Sequence, residues 1–293
     1  MRQLLIALLV VALLIQGCGR VGLQESTSTP TRSRPAATGP KRAERPVSAK
    51  MRYKLREGAR FVYDTNSTAT LSFSGITRLK TTLDLGVRNT QTVTAVKGKV
   101  ADAQMTFDDI HASLNGKSLP ESITNKAHGP LNRLVFNFKL DTTGKVTKLD
   151  IPQSGGSTML IPGITGPFGP MLPNREVMPG DSWTTTESPG LGGGLMNGVR
   201  ITTKYTFDKW VEQDGMKLAR IKASASAPDL YTTTLHLKDA RLQFSYLFDQ
   251  ASGRMVSGKG TVTGGFEPLI DILRSAGSGT VQYDIDIKVT PAR

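Results

Sequence analysis

The chain has 293 residues and is strongly basic, with 37 Lys or Arg against 24 Asp or Glu and a formal net charge of +13. A hydrophobic fraction of 38% beside a charged fraction of 21% excludes a wholly disordered chain and a protein that crosses a membrane many times. The single Cys excludes a disulfide scaffold and a cysteine-based zinc cluster, and the 3 His leave little room for a histidine metal site.

Residues 1–17 have the organisation of a bacterial signal peptide. Arg2 supplies a positive charge near the N-terminus, and the apolar run Leu4–Ile15 follows it. This run is shorter than the roughly 20 residues of a membrane-spanning helix. The run ends in Ile15-Gln16-Gly17-Cys18. This sequence resembles the lipobox of bacterial lipoproteins, although Gln16 stands where a small residue is usual. The alternative is an ordinary signal peptide with an unrelated Cys after it.

The lipobox resemblance implies that cleavage leaves Cys18 as the first residue, carrying a diacylglyceryl thioether. Each buried acyl CH₂ contributes about 0.8 kcal/mol, so a multiply acylated Cys18 would be a firm anchor. Gly19 rather than Asp follows the Cys, which in Gram-negative lipoproteins implies an outer-membrane address. We therefore expect an exported protein that is lipid-anchored to a bacterial membrane, on the periplasmic face of the outer membrane if the host is Gram-negative.

Residues 18–50 are predicted to form the lipidated Cys and a disordered basic tether. The stretch 19–50 has scarcely an aliphatic residue and cannot bury enough apolar surface to offset the entropy of ordering it. It carries seven Lys or Arg against two Glu. This charge either holds the tether against anionic headgroups or merely keeps it extended and soluble, and the composition leaves both open.

Residues 51–293 are predicted to form an all-β, mainly antiparallel domain. Apolar and polar side chains alternate with a period of two in several runs, among them 69–74, 135–140 and 281–289, as expected for strands with one buried face. Gly-containing turn signals separate the runs. We expect hairpin units that form a sandwich or a partly open barrel, with short helices at 267–277 and 119–127.

The β domain is further predicted to consist of two similar halves, about 51–160 and 175–293. Three sequence features occur in the same order in both halves. They are a Gly followed three residues later by an aromatic residue, a hairpin turn, and an aromatic-rich strand that ends in Asp before a Gly turn. They are Gly58 to Phe61 and Gly180 to Trp183; Lys97-Gly98-Lys99 and Asp214-Gly215; and Phe136 to Gly144 and Phe244 to Gly253. Three ordered marks favour a repeat over a chance likeness between hairpins.

These marks, together with the stretch Pro179-Gly180-Asp181-Ser182-Trp183, resemble a family of uncharacterised bacterial secreted lipoproteins. The resemblance extends over most of residues 51–265. It implies an envelope location and a β fold. Since that family has no known activity, the resemblance implies no functional residues.

No catalytic signature is found, and we expect a protein that is not an enzyme, with a hydrolase as the least favoured function. A Gly-x-Ser-x-Gly motif is lacking, and lipidation would use Cys18. Asp284 and Asp286 alternate with Ile285 and Ile287, so both carboxylates share one sheet face. They suit calcium binding or acid–base chemistry, but the wet face of a strand is the favoured interpretation. No cofactor or metal is expected.

The basic charge does not predict a nucleic-acid partner, because the Lys and Arg residues are spread among the strands without an aromatic stacking array. The expected partner is the membrane, reached through Cys18 and the tether. A lipid or an anionic envelope polymer is the candidate for the remaining basic charge.

The segment 152–173 combines five Gly and five Pro with seven large apolar residues and no charge. It is either an apolar lid over a cavity, a loop that enters a membrane, or a connection between the halves that packs across an open end of the core. The lid interpretation predicts a non-enzymatic lipoprotein that binds a lipid or other hydrophobic ligand. Its candidate ligand-binding residues are Met159, Leu160, Ile164, Phe168, Met171, Leu172, Leu269 and Ile272. The alternative is a structural or protein/glycan-interaction module of the envelope with a fully packed β-sandwich.

The lipidation of Cys18 is tested by the substitution Cys18→Ser. We expect the variant to move from the membrane fraction to the soluble fraction, because the acyl chains have no other attachment point. Fractionation of cells followed by immunoblotting measures the change. Continued membrane association of the variant would contradict the anchor.

Overall fold

A computed structural model describes residues 48–74, 79–119, 135–150, 169–187, 201–231, 235–268 and 277–292. The predicted signal peptide, Cys18 and the tether up to residue 47 lie outside these ranges. The all-β prediction is confirmed, since the described residues form strands, turns and irregular segments without an α-helix. Accordingly, these ranges contain no helix with the length and apolar character needed to span a bilayer.

The residues in these ranges form twelve strands, which we number in chain order. They are β1 (Arg60–Phe73), β2 (Leu79–Lys97), β3 (Val100–Leu114), β4 (Lys117–Ser118), β5 (Val135–Asp141), β6 (Val146–Asp150), β7 (Ser182–Glu187), β8 (Ile201–Gln213), β9 (Met216–Tyr231), β10 (Leu235–Asp249), β11 (Arg254–Pro268) and β12 (Gly279–Pro291).

Two short helices were expected, at 267–277 and 119–127. Glu267 and Pro268 instead end strand β11, where Glu267 pairs with His236 of β10. A strand forms here in place of the expected helix because the pairing with β10 continues through Pro268. This Pro lies at the end of the strand, where a missing N–H is tolerated. Residues 269–276 and 120–127 lie outside the described ranges.

All the strands belong to one antiparallel sheet with the order β6-β5-β3-β2-β1-β12-β11-β10-β9-β8-β7, and β4 pairs with β3 beside this path. The first and last strands of the domain therefore lie side by side in the middle, paired from Phe61 with Pro291 to Phe73 with Gly279. Strands β6 and β7 lie at the two ends of the order, so the sheet is not closed.

The period-two pattern gives the sheet an apolar inner face and a polar outer face. In β1, Ser67, Ala69, Leu71 and Phe73 are buried, whereas the residues between them are only partly buried. The register carries this pattern to both neighbours, because Ala69 pairs with Leu83 of β2 and with Tyr283 of β12. One face is therefore continuous across the central strands, as expected when side chains alternate strictly.

The sequence marks of the predicted repeat fall at equivalent places in two five-strand meanders, β1-β2-β3-β5-β6 and β7-β8-β9-β10-β11. Each meander begins with the same pair of backbone hydrogen bonds between its Gly turn and one residue of the second strand. These are Gly58 N to Val93 O and Val93 N to Ala59 O, both 2.9 Å, and Gly180 N to Phe207 O at 2.7 Å and Phe207 N to Asp181 O at 2.9 Å.

Some of the β-bulges coincide between the two meanders. The register shifts in the β2–β3 hairpin between Val93 and Ala95 and in the β8–β9 hairpin between Phe207 and Lys209. It shifts again between Lys139 and Leu140, and correspondingly between Leu247 and Phe248. The shifts after Arg88 and Lys238 have no such counterpart. Bulges are specific features of a strand pair, so the two meanders share their geometry at the two matching places. Their origin by duplication stays a prediction.

One end of the sheet, which we call the closed end, is crossed by residues 49–55, which we call the strap. Ala49 and Val177 exchange backbone hydrogen bonds of 2.7 and 3.0 Å, and Met51 is fully buried. Ser48 and Ala49, which fall within the predicted tether, thus contact residues 176 and 177, and the domain boundary at residue 51 stays a prediction. Composition assigned Ser48–Lys50 to the tether because their small and polar side chains carry no apolar signal.

The strap joins the two meanders through their equivalent turns. Tyr53 N donates to Thr142 O (2.9 Å) in the β5–β6 turn, and Lys54 N donates to Gly253 O (3.0 Å) in the β10–β11 turn. Gly253 has φ +65°, and a Cβ there would lie 2.6 Å from the backbone nitrogen of Lys54. A residue without a side chain is therefore needed both for the turn and for the close approach of the strap.

The docking of the strap predicts that Gly253→Ala destabilises the protein by roughly 2–4 kcal/mol, through left-handed strain plus the clash with Lys54. Gly98→Ala is the matched control, because Gly98 has φ +63° but open space around its Cβ position, so strain alone should cost about 1 kcal/mol. Urea unfolding measures both. Equal losses would contradict the close approach.

Candidate functional site

The inner face carries two apolar clusters at its opposite ends. The closed-end cluster joins Met51, Tyr53 and Val177 to the inward side chains of β8–β12, such as Phe207 and Phe248. Residues 169–177 and the strap thus fill the space over this part of the sheet. A neighbouring group built around Phe107, Phe136 and Phe138 covers the inner side of β2, β3 and β5. This end of the molecule is a packed core.

The open-end cluster consists of Ala69, Leu71, Phe73, Leu83 and Phe266. The rings of Phe73 and Phe266 meet edge to face with centroids 5.1 Å apart, across Gly279, which pairs with both residues. Among the described residues, the members and the hydrophobic side chains packed against them all come from strands of the one sheet. The apolar face therefore continues well beyond the strap.

Polar groups on the inner face are hydrogen-bonded to one another. Tyr63 Oη donates to Gln91 Oε1 (2.8 Å), and Tyr283 Oη donates to Ser67 Oγ (2.8 Å). Burial raises the pKa of Tyr63, and it also raises that of Tyr283. A cavity of about 20 Å³ beside Tyr53 has room for about one water molecule. These phenols are neutral structural groups at ordinary pH.

The structure places two of the eight predicted ligand-binding residues. Met171 and Leu172 are buried in the closed-end cluster. Leu172 N donates to Thr143 O (2.7 Å), and the indole Nε1 of Trp183 donates to Met171 O (2.8 Å). Both side chains thus lie in packed core, and their role in ligand binding stays a prediction. The other six lie outside the described residues: Met159, Leu160, Ile164, Phe168, Leu269 and Ile272.

The outer face contains a groove with a volume of about 900 Å³, which crosses β8–β12 and β1. Two parallel rows of outward side chains line it, as the register shows. The first row is Lys204, Ser224, Gln243, Thr261, Asp284 and Thr68. The second row is Thr206, Lys222, Ser245, Lys259, Asp286 and Asn66.

Most charges in the groove are paired within it. Lys259 Nζ lies 2.8 Å from Asp286 Oδ2, and this hydrogen bond raises the pKa of Lys259. Asp208 contacts Lys222 (3.1 Å) and Arg220 (2.5 Å). Burial alone would raise the pKa of Asp208, but the hydrogen bonds from Lys222 and Arg220 outweigh it and lower the pKa. The second row is thus neutralised internally.

The carboxylate pair noted in the sequence lies in this groove. Asp284 and Asp286 both point to the outer face, as the alternation predicts. Asp284 accepts hydrogen bonds from Thr261 Oγ1 (2.9 Å) and Gln282 Nε2 (2.8 Å), both of which are neutral donors. Alternation identified the correct face, but the groove itself depends on which strands are neighbours, which no local pattern specifies.

Outside the groove, the titratable side chains of the described surface include His236 and the acidic residues beside it. His236 Nε2 lies 2.6 Å from Asp229 Oδ1, and its Nδ1 lies 3.5 Å from Glu267 Oε2. A hydrogen bond from Lys238 contributes most to lowering the pKa of Glu267. Within the described ranges no group of three or more His, Cys, Asp or Glu has an arrangement that could hold a metal ion. The expectation of a non-enzymatic protein stays a prediction.

The chain matches no protein-family model and no curated protein. Among solved structures, it resembles lipovitellin, studied for its lipid–protein interactions, with a TM-score of 0.47 and 9% identity over 82% of this chain and 26% of that chain. The chain thus spans about a quarter of the lipovitellin chain.

Two envelope proteins show weaker likeness. An outer membrane channel from Pseudomonas putida F1 gives a TM-score of 0.21 and 9% identity over 81% of this chain and 97% of that chain. An outer membrane lipoprotein-sorting protein domain from Vibrio parahaemolyticus gives 0.18 and 8% over 79% and 85%. All three TM-scores lie below 0.5, so no function is taken from these likenesses.

The burial of Leu172 predicts that Leu172→Ala destabilises the protein by about 2–5 kcal/mol, because it leaves a cavity in the closed-end cluster. Met178→Ala is the control, since Met178 belongs to the same segment but is 42% exposed and should change the unfolding free energy by less than about 0.5 kcal/mol. Thermal and urea unfolding measure both. Similar small effects would show that Leu172 does not support the core.

Proposed function

We propose that this protein is a lipid-anchored lipoprotein of the bacterial cell envelope that binds a lipid or other hydrophobic ligand and catalyses no reaction. Cys18 supplies the anchor, and residues 19–47 connect it to the sheet. The ligand lies against the open-end part of the inner face. The observation that carries this proposal is the open-end cluster, whose members are only 2–9% exposed, although the apolar partners described for them all come from the sheet itself.

One connection at this end supports the proposal. Strand β11 ends at Pro268, two residues beyond Phe266 of the open-end cluster. The chain continues from this point into 269–276, which hold the candidate residues Leu269 and Ile272, so a ligand at the open end would lie where this segment begins. Strand β6 instead ends at Asp150, which the register aligns with Arg60 at the start of β1, so 151–168 begins nearer the closed end.

The apolar character of the site follows from burial energetics. Buried apolar surface contributes roughly 25 cal/mol per Å². Leu71, Phe73 and Phe266 are already buried, so a ligand gains affinity from the apolar area of its own that it buries against them. The few polar atoms nearby, such as Tyr283 Oη, are already hydrogen-bonded. The site would therefore select for shape and length of an apolar chain more than for a particular polar headgroup.

A second candidate is a structural or protein/glycan-interaction module whose apolar face is filled by its own side chains. The burial of Met171 and Leu172 in the closed-end cluster favours it, because these two candidate ligand residues already have protein partners. In this case residues 151–168 and 269–276 would complete the core in place of a ligand.

The two candidate functions differ in whether the purified protein contains a bound lipid. The full chain with Cys18→Ser is purified from a bacterial host without detergent, so that the acyl anchor is absent, and is examined by native mass spectrometry. Hydrophobic-ligand binding predicts a stoichiometric bound lipid. A clean mass with no uptake from added phospholipid would contradict it and favour the filled module.

A variant pair then locates the site. Phe168→Asp should abolish lipid uptake and leave the thermal unfolding midpoint nearly unchanged, because a ligand-facing side chain does not hold the fold. Met178→Asp, at an exposed apolar position in the same connection, should change neither property. If Phe168→Asp instead unfolds the protein, Phe168 belongs to the core and the lid interpretation is wrong.

A further inference from the structure

We propose that the outer-face groove is a second binding site and that its ligand is an extended neutral oligosaccharide lying across β8–β12 and β1. The groove is on the opposite face of the sheet from the hydrophobic site proposed above and does not depend on it. Its size, its hydrogen-bonding floor and its balance of charge together define the class of ligand.

The groove is long enough for a chain of several sugar rings. Six strands cross it, and neighbouring strands lie about 4.8 Å apart, so its path measures roughly 24 Å along the sheet. Its volume of about 900 Å³ lies near the upper end of the range of roughly 300–1,000 Å³ seen for ligand pockets. A single small metabolite would leave most of this space to water.

The floor presents three hydroxyls and an amide in one row across neighbouring strands, from Ser224, Gln243, Thr261 and Thr68. The Thr261 and Thr68 hydroxyls donate to Asp284 and Asp84 (2.9 and 2.8 Å), so they can only accept from a ligand, whereas Ser224 and Gln243 can both donate and accept. A sugar hydroxyl donates and accepts, so it can match each of these positions. A bare metal ion would need acceptors alone, and a phosphate or sulfate would need donors alone.

The balance of charge excludes a polyanion. Three Lys and three Asp line the groove, although the whole chain has a net charge of +13. Lys222 and Lys259 are paired with Asp208 and Asp286, so an anionic polymer would meet carboxylates already facing it. The basic excess of the protein thus lies outside this groove.

Two charged groups of the first row remain available to a ligand, Lys204 at one end of the row and Asp284 next to Thr68 at the other end. Asp284 is held by the neutral donors Thr261 and Gln282. Lys204 is exposed on β8 and, among the described residues, forms none of the ion pairs found. Hydrogen bonds to charged groups are roughly twice as strong as those between neutral groups. Asp284 and Lys204 would therefore fix the two ends of a sugar chain, as acceptor and donor respectively.

The site is also rigid, because its side chains project from strands that are paired on both sides in the interior of the sheet. Backbone positions are fixed before a ligand arrives, so little conformational entropy is lost on binding. Oligosaccharides are well hydrated and exchange hydrogen bonds to water for bonds to the protein, so each hydroxyl contributes only a small net energy and binding depends on this kind of preorganisation.

Binding is tested with the full chain carrying Cys18→Ser. Isothermal titration calorimetry uses two neutral probes, a β-1,4-linked N-acetylglucosamine tetramer and cellotetraose, and one polyanionic probe, a heparin tetrasaccharide. We expect at least one neutral probe to bind with an affinity that changes little between low and high salt. Failure of both neutral probes, or binding of heparin alone with steep salt dependence, overturns the proposal.

A matched variant pair locates the site. Ser224→Tyr places a large ring in the groove, whereas Ser226→Tyr adds the same ring on the same strand and face, two residues away, where Ser226 is exposed and does not line the groove. We expect Ser224→Tyr to weaken binding of the neutral probe at least tenfold and Ser226→Tyr to leave it unchanged. Equal effects of the two variants would place the ligand elsewhere.

A less bulky substitution tests the same site in case Ser224→Tyr perturbs the sheet. Gln243→Ala removes an exposed amide from the middle of the row and should weaken the neutral probe severalfold with an unchanged thermal midpoint. Unchanged binding in this variant contradicts the proposed floor. Lipid uptake should be normal in Gln243→Ala, so the test separates this site from the hydrophobic site on the inner face.

Discussion

The pairing of β1 with β12 is the interaction on which the architecture depends. It joins residues more than 200 positions apart, from Phe61 with Pro291 to Phe73 with Gly279, and it makes one sheet from two meanders. Without it, each meander would expose the edge of a long strand, which is a site for aggregation. Because the contact is so distant in sequence, its formation requires an unfavourable loop closure, and we expect folding to be slow.

The same pairing gives the molecule two faces of different chemistry. Strict alternation continues from β2 through β1 and β12 to β11, so apolar side chains gather on the inner face and hydroxyls, amides and charges on the outer face. The closed end of the inner face is filled by the strap and residues 169–177. Each face thus offers a ligand a different environment, and the two proposed sites do not compete for side chains.

Local patterns predicted the strands and the equivalence of certain turns, but not their arrangement. Alternation at 281–289 correctly placed Asp284 and Asp286 on one face, and the Gly turns at 58 and 180 do have matching hydrogen bonds. The groove could not be predicted, because Lys204 and Asp284 share a row only through three intervening strands. The helix expected at 267–277 begins instead as strand, since pairing with β10 outweighs a Pro-initiated helix signal. Met171 and Leu172 could not be distinguished as core or ligand contacts by composition alone.

The strap would have a mechanical consequence under the proposed anchoring at Cys18. A pulling force transmitted through Ser48 acts first on the hydrogen bonds between Ala49 and Val177. It acts next on the hydrogen bonds from Tyr53 and Lys54 to the two turns. The load is therefore divided between both meanders before it reaches Arg60, the first residue of β1. If these bonds open, Met51 and Tyr53 leave the closed-end cluster and that end of the inner face is exposed, while the ladder between β1 and β12 does not depend on them.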